Sequence, residues 1–199
     1  MTSARAGVTL DRAWFDRPSL EVASDLLGKR LVHETPDGRI AGRIVEVEAY
    51  RGPEDLAAHS SHGRTARNAT MWGEAGHLYV YLVYGLHLCI NIVCGPGTKP
   101  EAVLIRGCAI EEGEPLARRV RGTVPFERLA AGPGNVGAAF HITRALDGTD
   151  LLHGPIHIEA GEPPLTVVSR PRVGVGYAGD WAMRPYRFLI PDDPHVSRR

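Results

Sequence analysis

Glu46, Glu48 and Tyr50 stand at every second position of the run RIVEVEAY, with Val45, Val47 and Ala49 between them. Alternate side chains of a strand share a face. Two carboxylates and a phenol therefore line one side, while small apolar residues hold the other in a core. Charged residues are disfavoured in strands and are almost never fully buried without partners. A carboxylate in a partly apolar site gains a raised pKa and can act as a general base toward water or a hydroxyl. The plain alternative is a pair of glutamates exposed on an edge strand, and the strand alone weighs the two evenly. Further along come His59, the run YVYLVYG and Asn91. The combination describes acid–base chemistry beside an aromatic surface suited to a flat, stackable substrate.

Other groupings carry less. HLYVYLVYGLHLCINIVCG reads as an apolar hairpin with Tyr84 beside Gly85 at its tip. Such a wedge can enter base steps and leave room for an extruded nucleotide, on which Tyr50, Tyr81 and His59 could stack. Taken alone, Tyr and Val in strands are more simply core residues. His59-x-x-His62 near Glu54 and Asp55 matches no strong zinc pattern, so no metal is expected. GPGNVG could present helix amides to a DNA phosphate, or merely start a helix; it lacks the Lys and Ser/Thr of a phosphate-binding loop. A Schiff-base mechanism needs an amine. The only lysines, Lys29 and Lys99, lie far in sequence from the candidate site, so if the chain cleaves glycosidic bonds, water is the expected nucleophile.

The elements that must position these residues are those of one mixed α/β domain with mostly antiparallel, hairpin-connected strands. DRPSLEVASDLLGKR predicts a first helix, with Asp16 as cap, Pro18 in the first turn and Leu20, Ala23 and Leu27 on one face. RLVHETPDGRIAGRIVEVEAY predicts a hairpin around Thr35-Pro36-Asp37-Gly38. Residues 51–76 are polar and turn-rich, a length of loop that is usually functional or disordered. In the second hairpin, a loop of Gly85-Leu86-His87 pairs Tyr81 with Asn91 and puts Val80, Leu82, Leu88, Ile90 and Ile92 on one apolar face. AVLIRGCAI is a strand, EPLARRVRG a short helix, and LTVVSRPRVGVG and YRFLIP are closing strands. Regular strand–helix alternation is missing, which argues against a parallel doubly wound sheet.

At 199 residues and 43% hydrophobic, the chain can bury roughly 70% of its unfolded surface without disulfides or metal. The termini, 1–12 and 193–199, are expected to be loosely held. Lys+Arg and Asp+Glu balance at 23 each, so no global basicity announces a nucleic-acid partner. Cys89, Cys94 and Cys108 make no disulfide framework and read as reduced thiols. No leader or membrane-length apolar run is visible, so a soluble, cytoplasmic chain is expected.

In order and spacing, GRIVEVEAYRGPEDLAAH, GRTARN, LYVYLVYG with Asn91, AVLIRG and RVGVGYAGDWAMRPYRF closely resemble the alkyladenine (3-methyladenine) DNA glycosylase family, from about Leu20 to Ile190. The resemblance implies an α+β fold: one compact domain around a curved, mostly antiparallel sheet with peripheral helices and a protruding hairpin. It implies a monofunctional enzyme, without lyase activity, cofactor or metal. Such an enzyme flips alkylated or deaminated purines out of duplex DNA and hydrolyses the N-glycosidic bond. Glu48 then resembles the general base, with Arg106 near its water. Tyr50, His59 and Tyr81 resemble the walls around the flipped base, Asn91 the residue that discriminates against guanine, and Tyr84 the intercalating residue. Arg64 and Arg67 are candidates for DNA-backbone contact, and Arg118, Arg119 and Arg121 for a wider basic face. The implied partner is double-stranded DNA with a damaged purine, met by a monomer. Ala66, Asn135 and His87 depart from the family pattern, and the loop from Ser60 to Met71 is one residue short of it. Two other readings stay open: a carbohydrate-active hydrolase using Glu46 and Glu48, and a nucleic-acid-binding module without catalysis.

Overall fold

The strand that carries the two glutamates is interior, not an edge. In this computed structural model, which describes residues 7–198, it is β2, Gly38–Tyr50. Its first half pairs with β1, Arg30–Thr35, through a tight turn that sets Thr35 opposite Gly38. Two further strands follow the second hairpin's β3, Leu78–Val83, and β4, His87–Cys94: β5, Glu101–Glu112, and β6, Ile156–Glu159. The closing pair is β7, Val168–Arg170, and β8, Arg187–Leu189. The sheet order is β3-β4-β5-β2-β1-β6, and β8 joins both β2 and β7. All pairs are antiparallel, and the sheet curls into a half-barrel with a few helices packed on it, the expected α+β class. Around Glu46–Glu48, β2 has β5 on one side and β8 on the other. That excludes the exposed edge and explains why both carboxylates are buried.

Of the three apolar residues that alternate with the glutamates, only Val47 and Ala49 face the main core; Val45, expected beside them, packs instead with Ala109, Leu189 and Val196, because the β2–β5 register shifts between Ile44 and Glu46. Val47 and Ala49 join Val103, Ile105, Ile90, Ile92 and Leu78 in one buried cluster, where a fully buried Val or Leu is worth about 1.5–3 kcal/mol. Against this face lie the helices α2, Ser19–Leu26, and α4, Pro133–Ala139. At Gly137 a Cβ would lie 1.9 Å from the Leu88 carbonyl oxygen, so only glycine lets α4 approach β4 this closely.

Several local expectations are corrected. The first helix begins only after Pro18, because Arg12–Phe15 forms a separate turn, α1, capped by Asp11. Asp16 ends α1 and accepts from the Gly97 N–H instead of capping α2. The buried face of α2 is Val22, Ala23 and Leu26; Leu20 is half-buried and Leu27 lies past the helix end. In the second hairpin the faces are as expected but the register is two residues off: Tyr79 pairs with Asn91 and Tyr81 with Cys89. The loop is Tyr84-Gly85-Leu86, because Tyr84 itself takes a left-handed conformation (φ 51°) before Gly85 (φ 70°). The polar stretch 51–76 contains two 3₁₀ turns, His59–His62 and Ala69–Trp72. β6 has no counterpart among the predicted strands. Helix α3, Glu114–Arg121, lies where expected. Of the termini expected to be loosely held, residues 1–6 and 199 lie outside the described residues; elsewhere Thr9 bridges Glu159 and Arg12 opens α1.

Candidate active site

Cross-strand pairing, which puts opposite residues on one face, assembles the site from three rows. Tyr50 of β2 lies opposite Ala102 of β5, and Ala102 opposite Val93 of β4. In the next row Glu48 meets Leu104, Leu104 meets Asn91, and Asn91 meets Tyr79. Tyr81 and Cys89 begin the third, and Arg106 stands two residues beyond Leu104 on β5. A bulge interrupts the β2–β5 ladder here, since Glu46 pairs with Gly107 but Val47 with Ile105. Bulges bend a strand and re-aim side chains, and this one falls at Arg106. Above these rows opens a cavity of about 560 Å³, large enough for a small ligand.

The structure brings Glu48, Arg106, Tyr50, His59, Tyr81, Asn91, Tyr84 and Arg67 to the lining of that single cavity. Arg64 is exposed on the same loop but outside the lining. The arginines of α3 do not line it either: Arg118 pairs with Glu114, Arg119 with Asp37, and Arg121 donates to the Leu129 carbonyl. Glu46 lies behind the cavity wall. Asn135 closes locally on the Ala131 carbonyl at 2.6 Å, and Lys29 and Lys99 are outside the lining.

Glu48 is fully buried and fully partnered. One oxygen accepts the Val173 N–H at 2.7 Å and faces Arg106 Nη1 at 3.5 Å; the other accepts the Tyr50 hydroxyl at 2.9 Å. Burial raises its pKa above the ordinary carboxylate value, against the lowering pull of Arg106, the Val173 N–H and Tyr50. For Arg106, burial acts to lower the pKa, but Glu48 and Glu46 outweigh it and hold the guanidinium charged.

The aromatic residues form a wall. Tyr79 and Tyr81 stack with ring centroids 5.5 Å apart, and the His59 ring meets Tyr81 edge-on at 4.6 Å. His59 Nδ1 lies 3.0 Å from the Tyr79 hydroxyl. His59 and Tyr81 thus make one continuous surface, not two facing ones. Burial, with help from Arg67, lowers the His59 pKa, so the ring is neutral at neutral pH. Burial pushes Tyr79 up to about 12 and raises Tyr50 and Tyr81 as well, so the phenols stay protonated. Arg172 lies over the Tyr50 ring at 4.8 Å, and Tyr50 also lines the cavity.

Four supporting residues escaped the sequence reading. Asp55 and Arg172 form a buried pair with contacts of 2.5 and 2.8 Å, and Arg172 also donates to the Ala49 and Trp181 carbonyls. The pair ties the polar loop to the segment whose Val173 N–H holds Glu48. Arg187 and Ser197 bind Glu46 from behind. An arginine that follows a proline, as Arg172 does, or that sits in a short strand, as Arg187 does, carries no pattern that announces such a role. Asp55 spends its oxygens on Arg172 and on the Arg51 and Ala57 N–H groups, and no group of three or more His, Cys, Asp or Glu placed to hold a metal occurs among the described residues.

The site therefore sets a buried carboxylate beside a buried guanidinium at the floor of a cavity walled by aromatic rings. The model of the family described as Methylpurine-DNA glycosylase (MPG) matches residues 13–194, and the chain belongs to this family of DNA glycosylases. It is 48% identical over 192 residues to a protein of Methanocella arvoryzae (96% of each chain). It is 47% identical over 203 residues to one of Streptomyces avermitilis (99% of this chain, 94% of the other). A third relative, from Methanoculleus marisnigri, is 46% identical over 198 residues (96% and 100%). Each bears the name "Putative 3-methyladenine DNA glycosylase". No helix among the described residues is long and apolar enough to cross a membrane.

Proposed function

We propose that the protein is a monofunctional glycosylase that takes alkylated or deaminated purines from duplex DNA and hydrolyses their N-glycosidic bond, acting as a monomer. The observation that carries this is the buried Glu48 carboxylate on the floor of an aromatic cavity, held at both oxygens. Tyr84, 91% exposed at the hairpin tip, fills the gap left in the duplex. Tyr50 and the His59–Tyr81 wall hold the extruded base, and Asn91 crowds the 2-amino group of normal guanine. Neutral rings suit a base made cationic by alkylation at N3 or N7; a protonated His59 would repel it.

In the reaction Glu48 takes a proton from water as its oxygen bonds to the sugar C1′. The glycosidic pair of electrons leaves with the base, which for a cationic purine departs neutral. Glu48's charge also stabilises the developing oxocarbenium, and Arg106 orients the water. Neutral substrates such as hypoxanthine or ethenoadenine must be protonated on leaving as well. With no lysine in the cavity lining, water is the nucleophile and the DNA backbone stays intact. Glu46 does not face the cavity, which counts against a carbohydrate hydrolase, because its two carboxylates must flank one bond.

The test is incubation of duplexes carrying 3-methyladenine, hypoxanthine or ethenoadenine, then alkali to cut abasic sites. Cleavage is expected only after alkali. Glu48→Gln should bind damaged duplex and lose base release by roughly 10²–10⁴-fold. Near-normal single-turnover release by that variant would sink the assignment. Binding by the wild type without any cleavage would leave a non-catalytic module.

A further inference from the structure

We propose that Glu46 is a positioning residue for Glu48, anchored by the chain's C-terminal segment, and that it acts by holding Arg106 at a loose distance from the base. The proposal rests on the glycosylase reading above and goes beyond it. Glu46 is fully buried, yet lies outside the cavity. One of its oxygens accepts Arg187 Nη1 at 2.8 Å and Arg106 Nε at 3.3 Å. The other accepts the Ser197 N–H at 2.7 Å. Arg106 also donates to the Ser197 hydroxyl at 3.3 Å.

Unrestrained, a buried arginine and carboxylate close to roughly 2.7–2.9 Å, commonly with two parallel bonds. Arg106 instead stops 3.5 Å from Glu48, drawn back through its Nε and Nη2. That distance matters for the chemistry. A base clamped in a tight ion pair is held ionised but is a weak proton acceptor; with no cation beside it, burial would push its pKa further up. The divided guanidinium sits between these limits.

The C-terminal segment is built to deliver Ser197. Asp193 pairs with Arg43 at 3.0 Å and with His195 Nδ1 at 2.9 Å, and the His195 ring packs edge-on to Phe126. Arg187 holds the Arg198 carbonyl at 2.9 Å. Gly107, next to Arg106, has the clearance this requires: a Cβ there would lie 3.1 Å from the His195 carbonyl oxygen and 3.2 Å from Glu46 Cβ. The groups that face Glu48 are Arg106 from β5, Glu46 and Tyr50 from β2, Tyr81 from β3, and Arg172, the Val173 N–H and Tyr177 from the segment after β7.

The test is the pH profile of single-turnover release of 3-methyladenine from duplex DNA, a leaving base that needs no protonation. Removing the Glu46 charge frees Arg106 to close on Glu48 and removes a repelling neighbour. Glu46→Gln is therefore expected to move the acid-limb midpoint down by at least about half a pH unit and to lower the plateau roughly tenfold. Ser197→Ala deletes only the hydroxyl that draws on Arg106, and should move the midpoint the same way by roughly a few tenths of a unit. Single-turnover constants report folded enzyme alone, so a purely structural role would lower the melting temperature and leave both midpoints in place, which overturns the proposal. If Glu46→Gln does not fold, Ser197→Ala decides, and an unmoved midpoint there overturns it. A wild type that releases no base would instead refute the glycosylase reading itself.

Discussion

Glu48 and Tyr84 line one cavity, but the two ends of that cavity are made differently. Glu48 is 0% exposed and is reached by a backbone N–H, a phenol and a guanidinium. Behind it lie two more arginines and two more carboxylates, Arg187 with Glu46 and Arg172 with Asp55, all buried. Tyr84 is 91% exposed, beside Leu86 at 80%, on a loop whose first residue has a positive φ. The floor is cross-linked by charge across three strands and two loops, so its groups hold one arrangement before any ligand arrives. The rim spends apolar surface on solvent, which makes sense only if another surface later covers it. Chemistry demands a fixed geometry, and insertion into a duplex demands a projecting one.

The largest expected effect comes from breaking the floor. Asp55→Asn leaves Arg172 buried without its counter-charge, and removing one partner of a buried pair costs about 3–5 kcal/mol. It should also loosen the segment that places the Val173 N–H on Glu48. Chemical denaturation should show the loss of stability, and single-turnover release at saturating enzyme should fall too. A destabilised variant with an unchanged release rate would show that the pair holds the fold but not the base.

A smaller effect, of opposite sign in stability, is expected at the rim. Tyr84→Gly relieves a left-handed conformation that costs a non-glycine residue about 1 kcal/mol, so the variant should melt at the same temperature or higher. Under the proposed function it also removes the wedge that offsets unstacking, a term of a few kcal/mol per step. Base release at sub-saturating enzyme should therefore drop roughly tenfold to a hundredfold. A variant both less stable and fully active would reverse the contrast between floor and rim.

The sequence carries these two regions unequally. The alternation in RIVEVEAY placed Glu48 and Tyr50 on one face, because a strand's period of two is a local property; pairing with β5 and β8 supplied the burial that alternation cannot. The apolar face of the second hairpin was legible for the same reason. Its register was not, since nothing in the sequence marks Tyr84 as the residue that turns left-handed. The Asp55–Arg172 and Glu46–Arg187 pairs span 117 and 141 positions. Contacts that distant arise from topology, and one chain holds no local signal for them. Glu46 shows the limit most clearly: alternation put it beside Glu48, and only the structure shows its carboxylate turned to Arg187 and Ser197, away from the cavity.

The arginines allow the finest comparison. Arg67 is exposed at the cavity edge, 5.8 Å over the Tyr81 ring, with one bond to the Leu82 carbonyl. Arg119, on α3, is also exposed but is paired with Asp37 of the β1–β2 turn, away from the lining. Among the described residues Arg67 has no carboxylate partner, so under the proposed function it is free to meet a phosphate near the rim, while Arg119 would have to leave Asp37. Neutralising one phosphate contact changes the slope of log affinity against log salt by about 0.9. Arg67→Ala should reduce that slope by roughly this amount, whereas Arg119→Ala should leave it unchanged. Fluorescence-anisotropy titrations of damaged duplex at several salt concentrations read both. If the two variants shift the slope equally, DNA contact is not confined to the rim, and the basic face extends over α3.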